Sequence, residues 1–142
     1  MPNKYYPFDK RLEHRAAGLA ALTAATTLAT ITERAEQRTS YLTKVSIESI
    51  VTNGAAGEGY TLVIEVSNDG FTTKDTAEIL SLGATSARTG GAKTNVAGDS
   101  YELLWCTEVG GKKYKEARLR LIVSGTAPSI AFSAFSTIMP GA

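Results

Sequence analysis

The side chains that could do chemistry are few in this chain of 142 residues, and they lie far apart. There is one histidine, His14, and one cysteine, Cys106. A hydrolytic nucleophile needs a base beside it, and a zinc cluster needs several histidine or cysteine ligands. His14 lies close to Asp9 and to two arginines, which favours a contact at the protein surface over a catalytic role. We therefore expect no catalytic residue and no enzyme activity.

Cys106 lies in the apolar run ELLWC, which indicates a buried thiol that packs as a small apolar side chain. A single cysteine cannot form a disulfide within the chain. The acidic residues are scattered singly, so carboxylates such as Glu48 and Glu65 are expected on solvated outer faces of strands. Metal sites need clustered ligands. The sequence therefore predicts no metal ion and no cofactor.

Glycine motifs and overall charge give no sign of phosphate or nucleic-acid binding. GAAGEG at residues 54–59 precedes a strand pattern, and RTGGAKT lacks the spacing of a phosphate-binding loop, so both are interpreted as loops. The formal net charge of +1 provides no long-range attraction for nucleic acid. The segment YKEARLR comes nearest to a nucleic-acid-binding pattern, but Glu116 divides it. We expect no direct contact with nucleic acid.

No stretch approaches the roughly 18 apolar residues that span a bilayer, so no membrane contact is expected. Residues 16–31, AAGLAALTAATTLATI, resemble the apolar core of a signal peptide. However, Asp9 and Glu13 interrupt the basic region before it, and threonines break the apolar run. We expect a protein that is made in the cytoplasm and stays intracellular.

The chain divides into an N-terminal arm, residues 1–25, and a strand-rich domain, residues 26–142. The arm begins MPNKYYPFDKRLEHR, and Asp9 is a candidate N-cap for a short helix over residues 10–17. The domain alternates apolar and polar residues in separate segments, with turn signals between them, such as Asn68-Asp69-Gly70. A glycine-rich loop is expected over residues 84–99. Candidate strands cover residues 26–34, 41–51, 60–69, 76–83, 100–109, 112–123 and 129–139.

This pattern predicts an all-β fold, an antiparallel sandwich of about 7–8 strands. A jelly roll is the first choice; an immunoglobulin-like sandwich is second, because the Cys–Trp–Cys framework is absent. Gly110-Gly111 predicts a two-residue hairpin joining strands 100–109 and 112–123.

The last candidate strand carries no charge and presents apolar residues on both faces. Phe132 and Phe135 fall on opposite faces of a regular strand, unless a bulge lies between them. In the strand before it, arginines and Glu116 alternate with apolar residues. We expect the last strand to be covered on one face by the core and on the other by the arm or a second copy.

The order TLVIEVSND, ILSLG, glycine-rich loop, YELLW and KYKEARLRLIVSGTAPSIAFSAFST resembles the small jelly-roll cement (decoration) proteins of tailed-bacteriophage heads. The likeness covers about residues 41–139. Two features depart from the family pattern: Ala117 stands where an aromatic residue is usual, and the arm has no obvious counterpart. The residues that match the family's alternating strand and the V-x-G-T turn are Arg118, Leu119, Val123, Gly125 and Thr126.

The resemblance implies a non-enzymatic virion protein on the capsid exterior that bridges neighbouring capsomers. Its partners would be the major capsid protein and itself, as a dimer or trimer on a local symmetry axis. A truncation that removes residues 1–15 is expected to leave a folded domain that binds capsids poorly. Aromatic residues and arginine are enriched at interfaces. The interface candidates are Tyr5, Tyr6, Phe8, Arg11, Arg15, Arg118, Arg120 and Phe135.

Two other functions remain open. A ligand-binding sandwich of the carbohydrate type would use Trp105 or Tyr101 as a stacking platform, although Trp105 shares a face with Leu103 and fits a core position. A minor head or connector protein would differ from a cement protein in its copy number per particle.

Overall fold

The computed structural model describes residues 12–32, 38–52 and 57–139. Within these ranges the chain is built from strands, and the expected loop over residues 84–99 contains only two short 3₁₀ turns, Thr85–Ala87 and Thr89–Gly91. No helix long and apolar enough to cross a membrane occurs in the described ranges. The strands are β1 Glu13–Arg15, β2 Thr26–Thr32, β3 Ser40–Ile50, β4 Gly59–Ser67, β5 Lys74–Gly83, β6 Ser100–Cys106, β7 Glu108–Val109, β8 Lys112–Lys113, β9 Glu116–Ser124 and β10 Ile130–Ile138.

Eight strands form two antiparallel four-stranded sheets that pack face to face. Sheet I has the order β1-β10-β3-β6, and sheet II has the order β2-β9-β4-β5. Four of the six strand pairs in these two sheets are nested in the chain, each inside the one before: β1 with β10, β2 with β9, β3 with β6 and β4 with β5. The chain therefore resembles one long antiparallel ribbon that has been rolled up, which is a jelly roll. The predicted all-β sandwich is confirmed.

The core lies between the sheets and follows the period-2 alternation of the sequence. On β9, Leu119 and Leu121 are fully buried, whereas Arg118 and Arg120 between them lie on the outer face. The neighbouring strand β4 adds Leu62 to the same core. Alternation along a strand sends successive side chains to opposite faces, so the charged residues of β9 reach the surface of sheet II.

The prediction of a helix over residues 10–17 is wrong for residues 12–17, which are the part of this segment that the structure describes. Residues 13–15 form β1, which pairs with β10, and Leu22 makes a further bridge with Ile130. A helix of two turns is marginal by itself, whereas β1 completes the edge of sheet I and buries His14 and Arg15. The division of the chain into an arm, residues 1–25, and a strand-rich domain, residues 26–142, stays a prediction.

The glycine pair forms the predicted hairpin, but only the two residues on each side of it, β7 and β8, pair with each other. Gly110 and Gly111 both have positive φ, as a type I′ turn requires, and they connect β7 to β8. The long strands β6 and β9 lie in different sheets, so the expected pairing between them is wrong. The chain leaves sheet I at Thr107, whose carbonyl accepts a hydrogen bond from the Tyr114 N–H before β9 enters sheet II.

The two phenylalanines of β10 lie on opposite faces. Phe132 is fully buried in the core, and Phe135 is half-buried on the outer face of sheet I. The register with β3 shifts between Ala131 and Phe132, where Glu48 is the extra residue on β3. A bulge between the two phenylalanines is therefore wrong, because β10 continues with regular alternation from Phe132 to Ile138.

Candidate interface site

The outer face of sheet II carries a charged group that we call the Glu65 cluster: Glu65, Lys74, Arg118 and Arg120. Register places Glu65 of β4 opposite Arg118 of β9. The Arg118 Nε lies 3.0 Å from Glu65 Oε1. The Arg120 Nη1 and the Lys74 Nζ lie 3.4 and 3.5 Å from Glu65 Oε2. One carboxylate is thus surrounded by three cations from the two neighbouring strands, β5 and β9.

Glu65 is only 5% exposed, so its expected position on a solvated face is wrong. The reason is that β4 is a central strand, and the side chains of its neighbours cover its outer face. Burial by itself raises the pKa of Glu65, but the hydrogen bond from Arg118 and the charges of Lys74 and Arg120 outweigh it and hold the pKa below its ordinary value. Glu65 is ionised at neutral pH and fixes the arginines in place.

The cluster has a net positive charge, since three cations face one carboxylate. Arg118 is held on a second side, because its guanidinium carbon lies 4.0 Å from the ring centroid of Phe71. Arg120 and Lys74 keep side-chain exposures of 36% and 38%. These two cations are the members that a carboxylate of a partner could reach.

Apolar side chains flank the cluster on the same outer face. Ile79 on β5 is 54% exposed and Ile122 on β9 is 39% exposed. Register places Ile79 beside Val63 and Ile122 beside Thr61, which share the outer face of β4 with Glu65. Exposed apolar residues next to partly covered arginines are typical of the composition of a protein interface.

Sequence reasoning missed Phe71, which positions Arg118. Its φ of 67° is rare for a residue with a side chain, and the turn around it keeps it there. The Ser67 Oγ accepts a hydrogen bond from the Phe71 N–H at 3.0 Å. The Asp69 carboxylate accepts one from the Thr73 N–H at 2.8 Å, and this bond, with that from Ser67, lowers the pKa of Asp69. The Asn68-Asp69-Gly70 signal predicted the turn but not the residue that it presents.

The structure does not bring all interface candidates together. Arg118 and Arg120 lie in sheet II, whereas Arg15 and Phe135 lie in sheet I. Arg15 is 9% exposed, and its guanidinium carbon lies 5.6 Å from the ring centroid of Phe132. Their interface roles stay predictions. The remaining candidates lie outside the described residues: Tyr5, Tyr6, Phe8 and Arg11.

A buried chain of polar side chains crosses sheet I, and sequence reasoning missed it. The Trp105 indole N–H donates to Thr43 Oγ1 at 2.7 Å. Thr43 Oγ1 lies 2.7 Å from Ser136 Oγ, which lies 2.7 Å from His14 Nε2. The four side chains come from β6, β3, β10 and β1, which are all the strands of sheet I. The surface position expected for His14 is wrong, since only 5% of the residue is exposed.

The protonation of His14 follows from its surroundings. Burial lowers the pKa of His14 to about 4, and the hydrogen bond to the Ala29 carbonyl opposes this only in part. The neutral ring can accept from Ser136 at Nε2 and donate from Nδ1 to the Ala29 oxygen, 3.4 Å away on β2. His14 therefore also connects sheet I to sheet II.

Trp105 is a core residue, so the stacking-platform interpretation of Trp105 is wrong. It is 4% exposed and stacks on Tyr41, with 4.7 Å between ring centroids and an interplanar angle of 22°. Tyr101 is half-buried beneath the guanidinium of Arg88. Cys106 is half-buried rather than buried, and its thiol lies 3.1 Å from the Glu108 carbonyl oxygen.

Over the ranges that the structure describes, no three histidine, cysteine, aspartate or glutamate side chains are grouped so that they could hold a metal ion.

Comparisons with known proteins find little that is similar. No family model matches the chain, and no curated protein matches it. A chain in the structure of infectious bursal disease virus, Gt strain, has 13% sequence identity and a TM-score of 0.44, over 88% of this chain. This protein spans 28% of the length of that chain. A likeness at this TM-score supports no statement about shared function.

Proposed function

We propose that this chain is a non-enzymatic structural protein of a virion, which binds the outer surface of the capsid as cement proteins do. The observation that carries the proposal is the outer face of sheet II, where the Glu65 cluster lies beside exposed Ile79 and Ile122. The resemblance to phage cement proteins gives the kind of partner. The jelly-roll topology agrees with the fold that this resemblance implies.

The V-x-G-T motif of the resemblance has a physical reason in this fold. Gly125 has a φ of +97°, and a Cβ at this position would lie 2.7 Å from the Glu58 backbone N and Cα. The turn between β9 and β10 therefore packs directly on the chain that enters β4. The V-x-G-T motif is therefore explained by the packing of this turn and gives no support for binding. The proposed binding role rests on the outer face of sheet II.

The outer face of sheet II would bind the capsid through many weak contacts. Arg120 and Lys74 would pair with carboxylates on the capsid surface, and Ile79 and Ile122 would provide apolar contact. Glu65 and Phe71 would hold Arg118 in a fixed orientation, which reduces the entropy cost of binding. Because a capsid repeats its surface, modest affinity at each position adds up to stable occupancy when copies are linked.

A role without catalysis is supported by the state of His14. Its ring is buried, and both of its nitrogens lie within hydrogen-bond distance of Ser136 or Ala29. A general base has to reach a substrate, and a ring in this position is engaged in holding the two sheets together.

The experiment isolates particles of the virus that encodes this chain. Quantitative mass spectrometry then measures the number of copies of the chain in each particle. We expect several hundred or more copies per particle on the outer surface, in the manner of a cement protein that decorates the repeated capsid surface. About a dozen copies would favour the connector alternative, and absence from particles would overturn the proposal.

A pair of matched variants tests the binding face on the same particles. Ile79→Asp lies on the outer face of sheet II, whereas Val96→Asp lies in the loop over residues 84–99 at a similar exposure of 58%. We expect Ile79→Asp to reduce occupancy at least tenfold and Val96→Asp to leave it unchanged. Full occupancy by Ile79→Asp and by Arg120→Glu would show that another surface binds the capsid.

A further inference from the structure

Residues 16–31 form an uncharged and largely exposed segment that the proposed capsid-binding face does not use. The chain is 20% charged, so a segment of this length would carry about three charged residues, and this one carries none. It includes the connection between β1 and β2 and nearly all of β2. Residues 17–21 and 23–25 are exposed, and Leu19 is 50% exposed. Charge depletion on an exposed surface is typical of the centre of an interface.

The segment ends in a strand at the edge of sheet II. Among the described strands, β2 pairs with β9 alone. An edge strand presents unpaired backbone N–H and C=O groups, and proteins commonly protect such edges with charged residues, proline or bulges. The sequence of β2, TTLATIT, contains neither charge nor proline. Its one bulge, between Thr27 and Thr30, interrupts the pairing with β9.

The opposite edge of sheet II shows the protection that β2 lacks. Strand β5 carries the charged residues Lys74, Asp75 and Glu78, whereas both edge strands have a register shift. Thr27, Ala29 and Thr30 of β2 are exposed, and their small side chains allow another backbone to approach. Among the described strands, sheet II therefore has a protected edge at β5 and, at β2, an open edge that no other strand covers, where the Ala29 carbonyl accepts a hydrogen bond from the His14 ring.

We propose that residues 16–31 form the interface between two copies of this chain, with β2 paired antiparallel to β2 of the second copy about a two-fold axis. A two-fold interface brings the same surface of each copy together, so that surface must complement itself. An uncharged strand edge with threonine side chains satisfies this condition, because no charge is buried and threonines can pair across strands. The joined sheet would have eight strands, in the order β5-β4-β9-β2 and then the reverse in the second copy.

A second copy fits this surface better than a charged partner does. A partner with charged residues would have to bury them against residues 16–31, which carry no opposite charge of their own to compensate for the lost hydration. The near-neutral chain, with a formal net charge of +1, opposes self-association little. Because the two-fold axis is perpendicular to the sheet, both copies present the outer face of sheet II on the same side.

Sedimentation equilibrium of the full chain tests the proposal without any capsid, so that its failure is separate from a failure of the proposed function. We expect twice the chain mass of 15.0 kDa. Thr30→Lys puts a charge on the open edge and is expected to weaken the dimer at least tenfold. Thr76→Lys is the matched control, because Thr76 is an exposed threonine on β5, the protected edge of the same sheet. It is expected to leave the dimer unchanged, and thermal unfolding checks that both variants fold.

Hydrogen exchange of the wild-type chain gives a second measurement that needs no variant. Amides of β2 should exchange more slowly at a high protein concentration than at a low one, and amides of β5 should not change. A monomer at about 100 μM, a trimer, or a dimer that survives Thr30→Lys would overturn the proposal. Concentration-independent exchange of β2 would also overturn it, even if Thr30→Lys failed to fold.

Discussion

At the scale of single residues, His14 shows how one buried ring can stabilise both sheets. It accepts from Ser136 within sheet I and donates towards Ala29 in sheet II. The bond from Ser136 requires the neutral ring, since a protonated ring has no acceptor nitrogen, whereas the Nδ1–H donates to the Ala29 carbonyl in either protonation state. Sequence patterns did not indicate this role, because a lone histidine among charged residues is typical of a surface segment. The partners of His14 lie on strands that are distant from it in the sequence.

The first prediction concerns acid stability. The pKa of His14 is lowered from its ordinary value of 6.5 to about 4 by burial, so the unfolded chain binds this proton at a higher pH than the folded chain. The contribution to stability is complete above pH 6.5 and is lost as the pH falls from 6.5 towards 4. The shift corresponds to about 3 kcal/mol. Urea unfolding at pH 7, 6 and 5 should show about half of this loss, and the rest falls below pH 5.

The control for His14 is a side chain that does not titrate. His14→Gln lowers stability at pH 7 because it disturbs the bonds to Ser136 and Ala29, but its free energy of unfolding should vary less between pH 6.5 and 5. The carboxylates Glu65 and Asp69 have lowered pKa values, so their contributions are lost at a lower pH. Equal pH slopes for the wild type and His14→Gln would contradict the prediction.

At the scale of elements, the sequence predicted the long strands well and their neighbours poorly. Alternation and turn residues depend on local backbone geometry, and β3, β4, β5, β9 and β10 follow the predicted segments within a few residues. The pairing of strands depends on contacts between distant parts of the chain. Gly110-Gly111 therefore predicted a turn, but not that β6 and β9 lie in different sheets. The three residues of β1 have no pattern of their own and form a strand only because β10 is beside them.

Two glycines with nearly equal φ angles allow the effect of backbone conformation to be distinguished from the effect of a contact with a distant part of the chain. Gly98 and Gly125 have φ values of +95° and +97°, but only Gly125 lies against another backbone. Gly98→Ala should cost about 1 kcal/mol from the left-handed conformation alone. Gly125→Ala should cost roughly 2 kcal/mol more, because its Cβ would meet Glu58 at 2.7 Å and the chain entering β4 would have to move.

Chemical unfolding of the two alanine variants measures this difference directly. The comparison removes the backbone strain that they share and leaves the effect of the contact. Similar losses of stability at Gly98 and Gly125 would show that the turn between β9 and β10 adjusts without cost, and that the V-x-G-T motif has another reason.

At the scale of the whole molecule, the rolled ribbon makes the two ends of the domain depend on each other. Strand β1 and the bridge at Leu22 both pair with β10, so the beginning of the described chain is joined to its last strand. The candidate binding site shows the same dependence, because Arg118 and Arg120 were predicted from β9 alone, whereas Glu65, Lys74 and Phe71 join them through the fold. Alternation could predict that the arginines face outwards, but not that a buried carboxylate holds them.

This dependence changes the expected effect of shortening the N-terminus. Removing residues 1–15 would delete β1, and with it the hydrogen bond from Ser136 to His14 and the packing of Arg15 on Phe132. We therefore expect this truncation to unfold more easily than one that removes residues 1–11, which keeps every described strand. The difference should be at least about 2 kcal/mol, from lost hydrogen bonds and burial.

Urea unfolding of the two truncated chains gives the comparison, and the occupancy of capsids by the shorter truncation then tests the arm. If residues 1–11 contact the capsid, the chain that lacks them should keep its fold and bind particles at least tenfold more weakly. Equal stability of the two truncated chains would show that β1 contributes nothing. Full occupancy without residues 1–11 would remove Tyr5, Tyr6, Phe8 and Arg11 from the interface and leave the outer face of sheet II as the surface that binds.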